Sequence, residues 1–269
     1  MARKQYKAHF TTKTQQITRA GWDPLAHWYD GWVGKDGSHH HRQLAIPSLL
    51  ELLHLQAGED VLDIGAGQGV LAPYIARTQA NYVGVEVSPR LLRLARQRHG
   101  NTGTFLQGDA RYLARIPGIQ QASFDAAVFL LSIQDMNPLQ PIMDAVAWAL
   151  RGGGRIVIVM THPCFRIPRQ SGWGWQEDRK LQYRRIDRYL TPLTIPMKPY
   201  PGQTQGTTLS FHRPLEHYVN GLARSGLLLD QMREITTYKT TSQGPHSHAE
   251  NLAHQEIPLF LAIRARKTT

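Results

Sequence analysis

Val61-Leu62-Asp63-Ile64-Gly65-Ala66-Gly67-Gln68-Gly69 is the stretch that decides how this chain is built. A short apolar, β-branched run carries one aspartate and leads at once into three alternating glycines. Val70-Leu71-Ala72-Pro73-Tyr74-Ile75-Ala76 follows and reads as a helix with an apolar face. Strand, glycine turn and helix start make a cradle for a nucleotide-type cofactor. Glycine lets backbone approach a ligand closely, and the helix N-terminus offers unpaired N–H groups. The spacing is Gly-x-Gly-x-Gly, not the Gly-x-Gly-x-x-Gly of the dinucleotide fingerprint. Such a loop can also merely join a strand to a helix, so the residues downstream must decide.

Asn81-Tyr82-Val83-Gly84-Val85-Glu86 reads as a second buried strand ending in a carboxylate, near the spacing at which an acid meets ribose hydroxyls. Ser88-Pro89 supplies an N-cap and first helical residue for Arg90-Leu91-Leu92-Arg93-Leu94-Ala95-Arg96. A third strand, 104–107, leads to Gly108-Asp109-Ala110, and a fourth, 124–131, is followed by a helix over 142–150. Arg151-Gly152-Gly153-Gly154-Arg155 then turns into a fifth strand over 156–160. Apolar strands alternating with helices at this pace imply an α/β fold with a parallel, doubly wound sheet.

These pieces, in this order, resemble the class I S-adenosylmethionine-dependent methyltransferases of small-molecule type, over residues 45–161. The resemblance implies a Rossmann-like, seven-stranded sheet, mostly parallel, with one antiparallel edge formed by closing strands near 227–235 and 259–263. It implies S-adenosyl-L-methionine as cofactor. Asp63, Gly65, Ala66 and Gly67 would line its methionine end, although Ala66 stands where many members have Cys, Ser or Thr. Glu86 would take the two ribose hydroxyls, with Val87 beside the adenine. Asp109 would accept from the adenine amino group and Ala110 donate from its backbone, with Gly108 and Leu130 lining the same slot. A neutral ribose suits a carboxylate; a pyrophosphate would not.

Four regions are expected: an N-terminal lid (1–44), the cofactor-binding core (45–161), a substrate cap (162–212) and a C-terminal return of a helix, 214–222, and closing strands (213–269). The 269 residues suffice for one such domain with appendages. No apolar run is long enough to span a bilayer and no secretory signal opens the chain, and the lone Cys164 permits no internal disulfide, all of which suits the cytoplasm. The net charge of +11 is uneven: the core is neutral, the N-terminal part is +4 and the residues after 160 are +7. The excess thus falls in parts that lie around the substrate mouth in this fold, which points to an anionic substrate or to a plainly basic surface.

In the N-terminal part, Trp22, Tyr29-Asp30, Trp32 and a glycine-punctuated loop resemble the lid of small-molecule methyltransferases. The resemblance implies Tyr29 closing over the cofactor, with His40 or Arg42 near its carboxylate. His39-His40-His41 has no partner at zinc-type spacing, so no metal is expected. Residues 162–212 are broken by prolines and follow the fifth strand, at the carboxyl edge where open α/β sheets bind ligands. Trp32, Trp173, Trp175 and Tyr183 are the candidate stacking surfaces for a substrate, and Arg166, Arg185 and His212 its candidate polar contacts.

The fourth strand ends in Gln134-Asp135, followed by Asn137-Pro138-Leu139, which lacks the second proline and aromatic of exocyclic-amine nucleic-acid methyltransferases. Cys164 lacks the companion cysteine of the RNA base-C5 enzymes. Both departures favour a small molecule, anionic or partly aromatic, over nucleic acid. Gln134 and Asp135 would sit near the transferred methyl, and His162 is the candidate general base. Two other readings stay open: an RNA methyltransferase exploiting the basic appendages, and a non-catalytic cofactor-binding module. The sequence does not specify an oligomeric state.

Overall fold

The computed structural model describes residues 21–197 and 207–268. Its N-terminal part holds α1 (Ala26–Val33) and, after a wide helical turn at His41–Ala45, α2 (Ile46–Leu53). Strands and helices then alternate: β1 (Asp60–Ile64), α3 (Ala72–Ala76), β2 (Asn81–Glu86), α4 (Pro89–His99), β3 (Thr104–Gln107), β4 (Phe124–Leu130), α5 (Leu139–Ala149) and β5 (Leu150–Thr161). Two hairpins follow, β6 (Ser171–Gln176) with β7 (Leu181–Ile186), and β8 (Leu193–Pro196) with β9 (Leu209–His212). The chain ends in α6 (Leu215–Arg224), β10 (Leu227–Ile235), α7 (Ser247–Glu256) and β11 (Phe260–Lys267).

The main sheet has seven strands in the order β10-β11-β5-β4-β1-β2-β3. β3, β2, β1, β4 and β5 run parallel, and β11 pairs antiparallel with both β5 and β10. The expected Rossmann-like sheet with an antiparallel edge is therefore present. Its central strands are apolar at consecutive positions because both faces are covered. Val61, Val128, Val157 and Val159 pack toward α2, α3 and α4; Leu62, Ile64, Phe129 and Ile158 pack toward α5 and α6. β5 starts six residues before the apolar run, since Leu150 already pairs with Phe124 before a register shift. Helix α7 carried no strong periodic signal. No helix among the described residues is long and apolar enough to cross a membrane.

The buried C-terminus of α2 leaves carbonyls that helical geometry cannot satisfy. Two arginines reach it from the sheet. Arg155 on β5 donates to the carbonyls of Leu53 and His54, and Arg264 on β11 donates to Leu52 at 3.1 Å. Each is neutralised nearby, Arg155 by Glu59 at 2.6 and 2.9 Å and Arg264 by Asp230 at 2.7 Å. Replacing Arg155 with Ala strips the helix end of its donors and leaves Glu59 unpaired. Denaturant unfolding at neutral pH should show a loss of about 2–4 kcal/mol, and a change below about 0.5 kcal/mol would remove this role.

Candidate active site

The glycine turn after β1 works because its residues adopt backbone that side chains resist. Gly65 has φ +74°, and a Cβ there would fall within 3 Å of Met136 Cε and Ser132 Cβ. With that freedom the backbone doubles back, and the Gly67 N–H donates to Glu86 Oε2 at 2.9 Å. The other oxygen, Oε1, accepts the Ser88 N–H at 2.8 Å. Glu86 is 6% exposed, and burial raises its pKa against the pull of these N–H groups. With the Val87 N–H also bonded, the carboxylate keeps lone-pair capacity to accept from a diol. Val87 next to it is 60% exposed, an apolar surface open to a flat ring.

Asp63 lies deeper, 2% exposed. Its Oδ2 accepts from the Tyr82 hydroxyl at 2.7 Å, whereas Oδ1 has no partner. Burial pushes its pKa up to about 7, with the Tyr82 bond opposing and the Glu86 charge adding. An unpartnered buried carboxylate oxygen calls for a donor, and an ammonium group supplies one. These features fit the methionine and ribose ends of S-adenosyl-L-methionine. Asp109 fits less freely: Arg111 grips both its oxygens at 2.5–3.0 Å, so an adenine amine must share them. Gly108 and Ala110 flank it, the former packed so closely that a Cβ would strike Ile116.

The N-terminal segment docks directly on this turn. Asp23 accepts from Ser88 Oγ at 2.7 Å and from the Arg90 N–H at 3.0 Å. Asp30 takes both Arg98 nitrogens at 2.5 and 2.9 Å, and Gln68 Nε2 donates to Gly34 O at 2.5 Å. The Tyr29 ring lies 3.8 Å from where a Gly67 Cβ would stand. Burial, then the charges of Glu86, Asp135 and Asp63, raise the Tyr29 pKa. Trp22 meets Tyr29 edge-on at 5.0 Å and hydrogen-bonds Asp135. Burial pushes the Asp135 carboxyl up to about 7 against that bond. Tyr29, Asp63, Glu86 and Asp135 thus share one electrostatic environment at the carboxyl ends of β1, β2 and β4.

Beside it is a cleft lined by Gln134, His162, Arg166, His212, Arg213 and Tyr218. Gln134 Nε2 donates to Leu131 O, and its buried Oε1 has no partner. Leu130 ends β4 just before this turn. Arg213 and Tyr218, both buried, carry no mark in their local sequence: Arg213 directly follows β9 and Tyr218 is on α6, and both reach the cleft from far along the chain.

Several expected site residues are placed otherwise. His162 is not presented as a base. Its Nδ1 accepts the Cys164 N–H at 3.2 Å, so Nε2 carries the proton and donates to Glu234 at 3.0 Å. Neither nitrogen keeps a lone pair for substrate. His212 lines the cleft but its Nε2 is bound to Tyr189 O at 2.6 Å. The aromatics of the β6–β7 hairpin are used in packing rather than in the cleft. Arg166 and Arg184 lie 5.0 and 5.1 Å from the Trp173 ring, and His254 on α7 meets it at 5.5 Å. Trp175 bonds Glu177 and packs on His246 at 3.9 Å. Exposed Tyr183 covers Gly174, and exposed Arg185 pairs with Asp187. Trp32 is on the outer side of α1, stacked on Trp28. His40 packs on Tyr238 and Phe260 instead of reaching the glycine turn, and Arg42 is exposed. Part of the basic excess also lies elsewhere, since Arg264 and Arg266 share Asp230 on the antiparallel edge.

Residues 62–158 match the family described as "Methyltransferase domain". A demethylmenaquinone methyltransferase of Tropheryma whipplei is 33% identical over 118 residues, 42% of this chain and 46% of that protein. A ubiquinone biosynthesis O-methyltransferase of Xylella fastidiosa is 26% identical over 51% of this chain and 56% of its own length. The chain spans about half the length of these curated relatives. Among solved structures, an S-adenosylmethionine-dependent methyltransferase from Mesorhizobium loti superposes with TM-score 0.66 at 25% identity, covering 87% of this chain and all of its own. Motif order, strand order and these likenesses agree: residues 62–158 carry a methyltransferase domain, and the chain as a whole is similar in fold to S-adenosylmethionine-dependent methyltransferases.

Proposed function

We propose that this protein transfers a methyl group to a small molecule that is anionic or carries an aromatic ring. The observation that carries the reading is the adjacency of two sites. The glycine turn with Asp63 and Glu86 is joined through Met136, whose methyl covers Gly65 and whose carbonyl binds Arg213, to a cleft lined by Gln134, Arg166, Arg213 and Tyr218. Residues 21–44 act as the lid, and 162–197 with 207–212 act as the cap; the rest of both expected regions lies outside the described residues. The relatives named for menaquinone and ubiquinone synthesis support a small-molecule acceptor. A cleft this small suits such an acceptor better than it suits an RNA strand.

When bound, S-adenosyl-L-methionine supplies a methyl group already activated on a sulfonium. The protein's part is alignment of an in-line displacement and removal of the acceptor's proton. Asp63 Oδ1 holds the cofactor's ammonium, Glu86 its ribose, and Tyr29 closes over both. Asp135 takes the proton: it follows β4 beside Gln134, and its raised pKa gives a carboxylate useful strength as a base near neutrality. His162 instead braces the exit of β5.

Three outcomes test this. Calorimetry with S-adenosylhomocysteine should show Glu86→Ala losing on the order of 1–3 kcal/mol relative to wild type; equal affinity would sink the ribose assignment. For Asp135, turnover should rise as pH rises through about 7, because only the deprotonated carboxylate accepts a proton. Asp135→Asn should flatten that limb and lower turnover by roughly 10²–10⁴ without weakening cofactor binding, whereas an unchanged profile would remove the base. Bulk tRNA or rRNA should accept no methyl group from the cofactor; labelled transfer above background would move the reading to RNA.

A further inference from the structure

An arginine is charged at every relevant pH and carries five donors, so a buried one normally faces a carboxylate. Arg155 and Arg264 obey this, paired with Glu59 and Asp230. Arg213, 6% exposed, does not. Its guanidinium donates to Met136 O at 2.6 Å, to the Asn137 side-chain carbonyl at 2.9 Å and, more weakly, to Phe211 O at 3.5 Å, and it bonds the Tyr218 hydroxyl. All are neutral. Across the same cleft Arg166 donates to the carbonyls of Ile257 and Pro258 and stacks on Trp173, again without a carboxylate. No ion pair involves either arginine among the described residues.

Taking a charge out of water without a counter-charge is costly, and here two like charges line one small cleft. The cleft also holds the unpartnered Oε1 of Gln134, which calls for a donor rather than an anion. Met136 links it to the cofactor turn: its carbonyl binds Arg213 while its methyl covers Gly65.

We propose that Arg213, with Arg166 and Tyr218 beside it, seats an anionic group, carboxylate or phosphate, of a methyl acceptor whose hydroxyl or amine meets Gln134. This rests on the methyltransferase reading and narrows its substrate to a small hydroxy or amino acid or phosphate ester. Met136 and Asn137 take both Nη2 hydrogens of Arg213, so an anion meets its remaining donors singly and shares its charge with Arg166. With the anion anchored there, the neutral end of the molecule is directed toward Gln134 and Asp135.

The test uses full-length protein loaded with S-adenosylhomocysteine and titrated in a calorimeter with matched probes. These are 4-hydroxybenzoate against 4-hydroxybenzamide, lactate against lactamide, and phenyl phosphate against phenol. At least one anion should bind about tenfold or more tightly than its neutral partner, and the pair that discriminates tells carboxylate from phosphate. Arg213→Gln, with unchanged circular dichroism and S-adenosylhomocysteine affinity, should lose that preference, and Arg213→Lys should keep part of it. Should Arg213→Gln fail to fold, Arg166→Gln serves in its place and should weaken the anion by several-fold. The proposal is overturned if no anion binds at about 10 mM, if neutral partners bind as tightly, or if the preference survives in the folded variant. Failure of wild type to bind S-adenosylhomocysteine would instead sink the methyltransferase reading itself.

Discussion

One hydrogen bond ties this architecture together, the Gly67 N–H to the Glu86 carboxylate. It crosses from the turn after β1 to the end of β2, and it requires backbone at positive φ through Gly65 and Gly67. A side chain at Gly65 would also collide with Met136 and Ser132, so turn and β4 exit are packed as one unit. Glu86 in turn fixes the Ser88 N–H, and Ser88 caps α4 by accepting from Leu91. Asp23 then hangs the N-terminal segment on the same serine. The Glu86 carboxylate and the anchor of the N-terminal segment are therefore one continuous network.

The second constraint is electrostatic. Among the described residues, buried Asp63 and half-buried Asp135 are carboxyls held without a cation, and Arg213 is a buried cation held without a carboxylate. A fold selected only for stability would pair such groups or replace them with apolar ones. Elsewhere this protein does pair them, at Arg155–Glu59 and Arg264–Asp230, where the arginines stitch β5 and β11 to α2. The contrast separates structural charge from charge kept ready for a ligand.

This division also explains what the sequence could and could not reveal. The β1 turn, Glu86 and the Ser88 cap are legible because their chemistry is local: residue types at fixed spacing dictate the turn, the strand end and the cap. A seven-stranded, mostly parallel sheet with an antiparallel edge follows from the same run of local units plus the resemblance. Segments held by distant contacts were opaque. Trp173 looks like a stacking platform in one dimension, yet Arg166, Arg184 and His254 surround it in three. His162 looks like a base at a strand end until Cys164 and Glu234 occupy both its nitrogens. Arg213 carries no motif at all, and its meaning comes from partners it lacks.

The charge pattern bears on how an acceptor is selected. Asp63, Glu86 and Asp135 make the cofactor end electronegative, which favours an ammonium and a sulfonium. The same field repels an anionic acceptor brought near the methyl group. An acid can enter only if its charge lies away from those carboxylates, and the buried guanidinium of Arg213 provides that place. Orientation then follows from electrostatics before any shape fit: the anion turns toward α6, and the neutral nucleophile toward Asp135. A neutral acceptor would feel neither pull and would have no preferred direction in the cleft. The opposed charges would thus act as a sorting field, strongest where little water screens them.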